Sequence, residues 1–231
     1  QGFFSQVPER DIEGTPVILF APHAGYIYSG PVAAHAYTLV KGKSYESVIL
    51  LAFSHHTYYP GVSIYDGTAY RTPLGTVPID HKLVEELKKK DSIFTYHPPA
   101  HSKEHSLEVQ LPFLQQSVTG LKIVPLVMCD MSPSMSTRLA DAIYQVSKDK
   151  NILIVVSTDL SHFHDYAEAK RRDRRTIDII SSLSVARCAE GIRGGKVDAC
   201  GKGPILTAVL LANKMGLENI QLLKYANSGD T

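Results

Sequence analysis

Four residues of this sequence could bind a metal ion or move a proton, and three of them recur at one kind of position. His23, His55 and His162 each follow a short apolar run: Pro22-His23-Ala24 after Val17-Ile18-Leu19-Phe20, Ser54-His55-His56 after Val48-Ile49-Leu50-Leu51, and Asp159-Leu160-Ser161-His162 after Ile152-Leu153-Ile154-Val155-Val156. Imidazole titrates near neutrality and serves either as a metal ligand or as an acid–base group. Any one of the three could equally be a hydrogen-bonded structural histidine. The chain has only 10 histidines, so their presence after all three runs argues for one shared chemical site. The fourth residue is Cys200, in Ala199-Cys200-Gly201-Lys202-Gly203-Pro204, which leads into an expected helix. A helix N-terminus favours thiolate, which is a nucleophile and a soft ligand, and the neighbouring glycines would let a ligand approach the backbone. The plain alternative is a small packing residue, which is how Cys129 and Cys188 read.

Two other patterns carry less. His101-Ser102-Lys103-Glu104-His105 matches an H-x-x-E-H metalloprotease signature. That signature needs one continuous helix, and Pro98-Pro99 before it and Pro112 after it argue against one. A helix starting near Ser106, with Leu107, Leu111 and Leu114 inward, fits better and leaves Glu104 and His105 at its cap, facing the site. His35 lies on an expected helix face and reads as structural.

The elements that must position these residues alternate between strand and helix. Five apolar runs read as buried strands: 17–20, 48–51, 123–127, 152–156 and 220–223. Continuous rather than alternating apolar character points to strands covered on both faces. Pro125 marks the third as an edge or irregular strand, and Val62-Ser63-Ile64-Tyr65 reads as a further, half-exposed strand. Helices are expected over 31–40, with Ser29-Gly30-Pro31 as its cap, and over 80–90, 132–147, 165–182 and 203–215, from their caps and apolar spacing. The polar stretch 92–105 reads as an ordered loop or lid. This pattern predicts an α/β fold, a three-layer sandwich around a mostly parallel sheet, in a single domain over 1–231.

Bulk properties narrow the function. Of 231 residues, 44% are hydrophobic and 20% charged, with a formal net charge of +1, which argues against a nucleic-acid partner. The basic runs at 88–90 and 170–175 sit beside acidic residues and read as solvated helix faces. No apolar run approaches the ~20 residues of a membrane span. Three cysteines without a CxxC pattern fit a reducing, cytoplasmic setting.

Taken in order, PHAGY (22–26) with SGP (29–31), SHH (54–56), YRTPLG (70–75), EHSLEVQLPFL (104–114), STDLSH (157–162) and ACGKGP (199–204) resemble the Memo family, the middle partner of the AmmeMemoRadiSam grouping. The resemblance implies the fold of class III extradiol dioxygenases, which hold a non-haem iron with two histidines and a carboxylate. It places His23 and His55 as metal ligands, Cys200 where those enzymes carry their glutamate, and His162, beside Asp159, as the acid–base histidine. A thiolate in place of the carboxylate shifts the preference toward copper, zinc or iron in a redox role. The expected function is therefore a metal-dependent redox enzyme using iron or copper and no nucleotide cofactor. His162, Asp159 and His105 would handle protons or substrate, and a small molecule or peptide would occupy the pocket. The alternatives are a binding or signalling scaffold that keeps the ancestral pocket without turnover, and a hydrolase with Cys200 as nucleophile and His162 as base.

Overall fold

The computed structural model describes residues 2–8, 12 and 14–230. After a 3-10 turn at Phe4–Gln6, the elements run β1 (Ile18–Ala21), α1 (Tyr26–Thr38), β2 (Ser47–Phe53), β3 (Val62–Ile64), β4 (Ala69–Thr72), β5 (Gly75–Pro78), α2 (His81–Lys90), β6 (Phe94–Thr95), α3 (Pro98–Ser102), α4 (His105–Glu108), α5 (Leu111–Ser117), β7 (Ile123–Met128), α6 (Pro133–Ser147), β8 (Ile152–Ser157), α7 (Tyr166–Ser181), α8 (Val185–Arg193) and α9 (Lys202–Lys214). Six strands form one sheet in the order β1-β8-β2-β7-β3-β6, and β4 pairs with β5 in a separate hairpin. All pairings in the large sheet are parallel except β3 with β7. α9 packs on β2 and β8 and against α6, while α1 packs on β1 and α4 on β2. The fold is thus the expected sandwich of helices around a mostly parallel sheet.

The apolar runs explain the centre of that sheet. Every residue of β7 and β8, and all of β2 but Phe53, is buried, so neither face needed polar residues. The caps also act as read: Asp80, Ser132 and Asp165 each accept a backbone N–H from the first turn of α2, α6 and α7.

Several elements differ from expectation. β7 is not an edge strand, although it contains Pro125. The Pro125 carbonyl accepts the Tyr65 N–H just beyond the end of β3. A residue's N–H and C=O face the same neighbour, so the missing N–H falls where that ladder has already stopped. β3 itself is fully buried rather than half exposed. α1 begins at Tyr26, so Pro31 lies inside it. The Gly25 carbonyl starts the helix by accepting from Tyr28 and Ser29, and the Ser29 hydroxyl donates back to Ala24 instead of capping. The run 220–223 forms no strand, and Leu222 is about half exposed. The stretch 92–105 contains β6 and α3. The helix expected from Ser106 is two short ones, because Pro112 sits in the first turn of α5. Leu107, Leu111 and Leu114 are nonetheless buried.

His101 is a structural residue. It is buried between β3 and the hairpin, bonding Ser63 Oγ through Nε2 and the Tyr70 hydroxyl through Nδ1, both at 2.9 Å. Burial pulls its pKa down to about 4. The unfolded chain therefore takes up this proton first as pH falls, and stability present above about 6.5 declines toward pH 4. We expect the loss of stability between pH 7.5 and pH 5 to be about 2 kcal/mol smaller in His101→Gln than in the wild type, measured by urea unfolding. Equal losses in the two proteins would contradict this account.

Candidate functional site

Sheet order explains why residues far apart in sequence meet. β8 lies between β1 and β2, with Ala21 opposite Ser157 and Leu51 opposite Val156. Three parallel strands therefore end at one level, and the loops carrying His23, His55 and Asp159 open on the same side. Cys200 reaches that side from the turn preceding α9.

One nitrogen of His23, one of His55 and the Cys200 sulfur lie within 4.8 Å of one another. His23 Nε2 is 3.4 Å from Cys200 Sγ. Behind the rings, each Nδ1 has an oxygen partner: Ser157 Oγ for His23 and Glu104 Oε1 for His55, both at 2.9 Å. Glu104 also accepts the His55 backbone N–H through Oε2 and caps α4 through the Ser106 N–H. It is buried, and although burial favours its neutral form, the bonds from His55 and Ser106 hold its carboxyl down at about 2. A carboxylate accepts only, so His55 Nδ1 carries a proton and Nε2 is the nitrogen left for the site.

The sulfur is placed by backbone. The Asp159 N–H donates to Sγ at 3.2 Å, and the Cys200 N–H donates to the Asp159 carbonyl. Gly201 serves this approach, since a Cβ there would lie 2.8 Å from Thr158 Cβ, while Gly203 seats the start of α9 against β7, where a Cβ would lie 2.8 Å from Met128 Cε. Burial pushes the thiol up, but hydrogen bonds from His23 and His55 outweigh it and bring Cys200 to about 6. His55 is lifted to about 10, first by its bond to Cys200 and then by Glu104. For His23, burial opposes the charged ring, and the bond to Cys200 overcomes it, so its pKa rises. Cys129 and Cys188 are buried packing residues with pKa values pushed up by burial, that of Cys188 to about 11.

The remaining expected residues stand at different distances from this centre. His105 lies close, its ring centroid 5.3 Å from that of His55 and 5.5 Å from that of His23, with its side chain partly exposed. Asp159 lies between two histidines: Oδ2 is 3.8 Å from His23 Nε2 and 4.0 Å from His162 Nε2. Its other oxygen accepts the His23 and Ala24 N–H groups. His162 is exposed at the rim, and its loop is held by buried Asp173, which accepts from the Ser161 N–H and the Tyr225 hydroxyl. His101 is not part of the site, and His101 and His105 sit on separate helices, so the H-x-x-E-H pattern has no metalloprotease geometry. Sequence reading missed Ser157, Gln110 and Tyr37, buried polar residues joined by hydrogen bonds behind His23. Gln110 offered a signal, as a polar residue at the inward helical spacing of Leu107, Leu111 and Leu114.

The donor set fits a transition metal. Two imidazole nitrogens and a thiolate are ligands for zinc, copper or iron. The 3.4 Å separation of His23 Nε2 from Sγ is close to the roughly 3.5 Å expected when nitrogen at about 2.0 Å and sulfur at about 2.3 Å share a tetrahedral ion. A second group, His55, Glu104 and His105, is also compact, but Glu104 already uses both oxygens on backbone and ring N–H groups. A cleft of about 230 Å³, lined by Glu46, Asp80, Lys82, Glu86, Lys122 and Lys150 among others, has balanced charge and no imidazole or thiol.

Known proteins resemble this chain over nearly its whole length. Residues 3–231 match the family described as Memo-like protein. A MEMO1 family protein of Saccharolobus solfataricus is 37% identical over 220 residues, 93% of this chain and 77% of that protein. One from Sulfurisphaera tokodaii is 35% identical over 235 residues, covering 100% of this chain and 82% of its own. Among solved structures, an uncharacterized protein of Escherichia coli K12 shares the fold with a TM-score of 0.50 at 14% identity, over 72% of this chain and 75% of that one. The chain belongs to the Memo-like protein family.

Proposed function

We propose that this protein is a metal-dependent redox enzyme with a dioxygenase-like pocket, in which His23, His55 and Cys200 hold iron or copper. The observation that carries this reading is the convergence of one nitrogen from each of His23 and His55 and the Cys200 sulfur within 4.8 Å, beside the carboxyl ends of three parallel strands. A bound iron or copper ion would supply one-electron redox capacity. The protein's own groups orient the rest. Glu104 aims His55, Asp159 tethers the His23 backbone, and the partly buried centre limits access of bulk water. In this reading His162 and Asp159, whose Nε2 and Oδ2 lie 4.0 Å apart, hold and pass a proton at the rim. His105 faces the cluster from the open side, where it would contact a bound substrate. The imidazoles bonded to Cys200 are those of His23 and His55, not His162, which favours ligation over the hydrolase reading.

One observation supports the second reading, a binding protein that retains this pocket. Tyr26 and Tyr28 at the start of α1, Tyr58 beyond His56, and Phe163 next to His162 leave aromatic surface exposed on segments adjoining the motif histidines. Phe163 also adopts φ 63°, a conformation unusual for an aromatic residue. Such a rim suits a small-molecule or peptide ligand. No helix among the described residues is long and apolar enough to cross a membrane. The three cysteines are free, and on that ground a reducing, cytoplasmic setting is part of the proposal.

Protein purified without a histidine tag under nitrogen should carry close to one iron or copper ion per chain by elemental analysis, and His55→Ala should carry at least tenfold less. Equal content in both would remove the metal reading. Metal-loaded wild type should consume oxygen with at least one member of a catechol panel if it is an enzyme. Loading without turnover would favour the scaffold.

In metal-free protein, iodoacetamide should alkylate Cys200 with a midpoint near pH 6, because thiolate is already present above that pH. His23→Ala should move this midpoint up toward the ordinary value near 9. An unshifted midpoint would show that the imidazole does not stabilise the thiolate.

A further inference from the structure

We propose that Ser157, held by the side-chain amide of Gln110, is a positioning residue that commits His23 to the ring form with its proton on Nδ1 and its Nε2 facing Cys200. This deepens the metal reading and rests on it for its functional meaning.

The argument is an accounting of protons among fully buried groups. Tyr37, Ser106, Gln110 and Ser157 are all buried, and His23 is 2% exposed. Ser157 Oγ touches three partners: the Ser106 carbonyl at 2.6 Å, Gln110 Nε2 at 2.8 Å and His23 Nδ1 at 2.9 Å. The carbonyl can only accept, so two oxygens at 2.6 Å require the single Ser157 proton between them. The Gln110 amide nitrogen can only donate, and it fills one lone pair of the hydroxyl. The remaining contact, with His23 Nδ1, must then be one in which the ring donates.

The Gln110 amide cannot be reversed. Its nitrogen is also 3.0 Å from the Pro22 carbonyl, another pure acceptor, and its oxygen takes the Tyr37 hydroxyl proton at 2.7 Å. A single side chain therefore grips both the backbone entering His23 and the hydroxyl behind its ring. The order Tyr37, Gln110, Ser157, His23 runs from the core to the site with each N–H and O–H donor along it used. With Nδ1 keeping its own proton, the proton that His23 shares with the Cys200 sulfur is the one on Nε2, and its departure leaves a lone pair where the ligand set needs one.

Two measurements test this. In ring-labelled protein, NMR should show a slowly exchanging proton on His23 Nδ1 in the wild type, metal-free and zinc-loaded alike. Ser157→Ala should lose that protection and bind Co(II), followed by its thiolate absorption, roughly 10- to 100-fold more weakly. Gln110→Met keeps the hydroxyl but removes its clamp, and it should show faster Nδ1 exchange with a smaller loss of affinity. An unchanged Nδ1 proton together with Co(II) affinity within twofold in Ser157→Ala would overturn the proposal. If Ser157→Ala does not fold, the same result in Gln110→Met would do so. Wild type that fails to bind Co(II) or zinc yet keeps the protected Nδ1 proton overturns the metal reading and leaves the ring assignment standing.

Discussion

The parallel pairing of β1, β8 and β2 is the constraint on which the site depends. Parallel neighbours in register end at the same height, so three loops distant in sequence must emerge together. Nothing in the loops themselves would bring His23 within reach of Asp159, 136 residues away. The sheet does so, and it is held in turn by complete burial of its central strands. Each of these strands needs helices on both faces, which is why the chemical site and the core form together.

Around that level the protein solves a polar problem. Two imidazoles, a carboxylate, an amide and two hydroxyls lie at or near the core boundary, where each unpaired group would cost about 1–3 kcal/mol. The hydrogen bonds form two buttresses of different chemistry. Behind His55 stands a charged acceptor, Glu104, and behind His23 a neutral hydroxyl, Ser157. A charged buttress makes its ring the more basic of two otherwise similar ligands. The site therefore presents unequal nitrogens to whatever it holds, an asymmetry invisible in a list of ligands.

The sequence was informative where one physical rule dominated. Uniform apolar runs marked the central strands because burial on both faces leaves no room for alternation, and caps marked helix starts because side-chain oxygens satisfy the first N–H groups. It was misleading where tertiary context prevailed. Pro125 looked like an edge residue, but its missing donor falls beyond the end of a short neighbour. Pro31 looked like a helix start, but Gly25 had already begun that helix. Ile220–Leu223 looked like a strand and gained no partner. The motif histidines were visible at strand ends. The glycines of ACGKGP were visible too but misread, since they accommodate Thr158 and Met128. Ser157 and Tyr37 left no pattern, because their partners are set only by the packed fold.

The close seating of Gly201 against Thr158 fixes more than a packing contact. With the backbone at 200 drawn up to the Asp159 peptide, the donor atom at this corner must be carried on a short arm. Sulfur, two bonds from Cα, already stands 3.4 Å from His23 Nε2. A glutamate oxygen sits four bonds out and would overrun that gap unless the helix behind it withdrew. The choice between thiolate and carboxylate is in this sense a choice of reach, and it is written into the distance between α9 and β8 as much as into residue 200 itself.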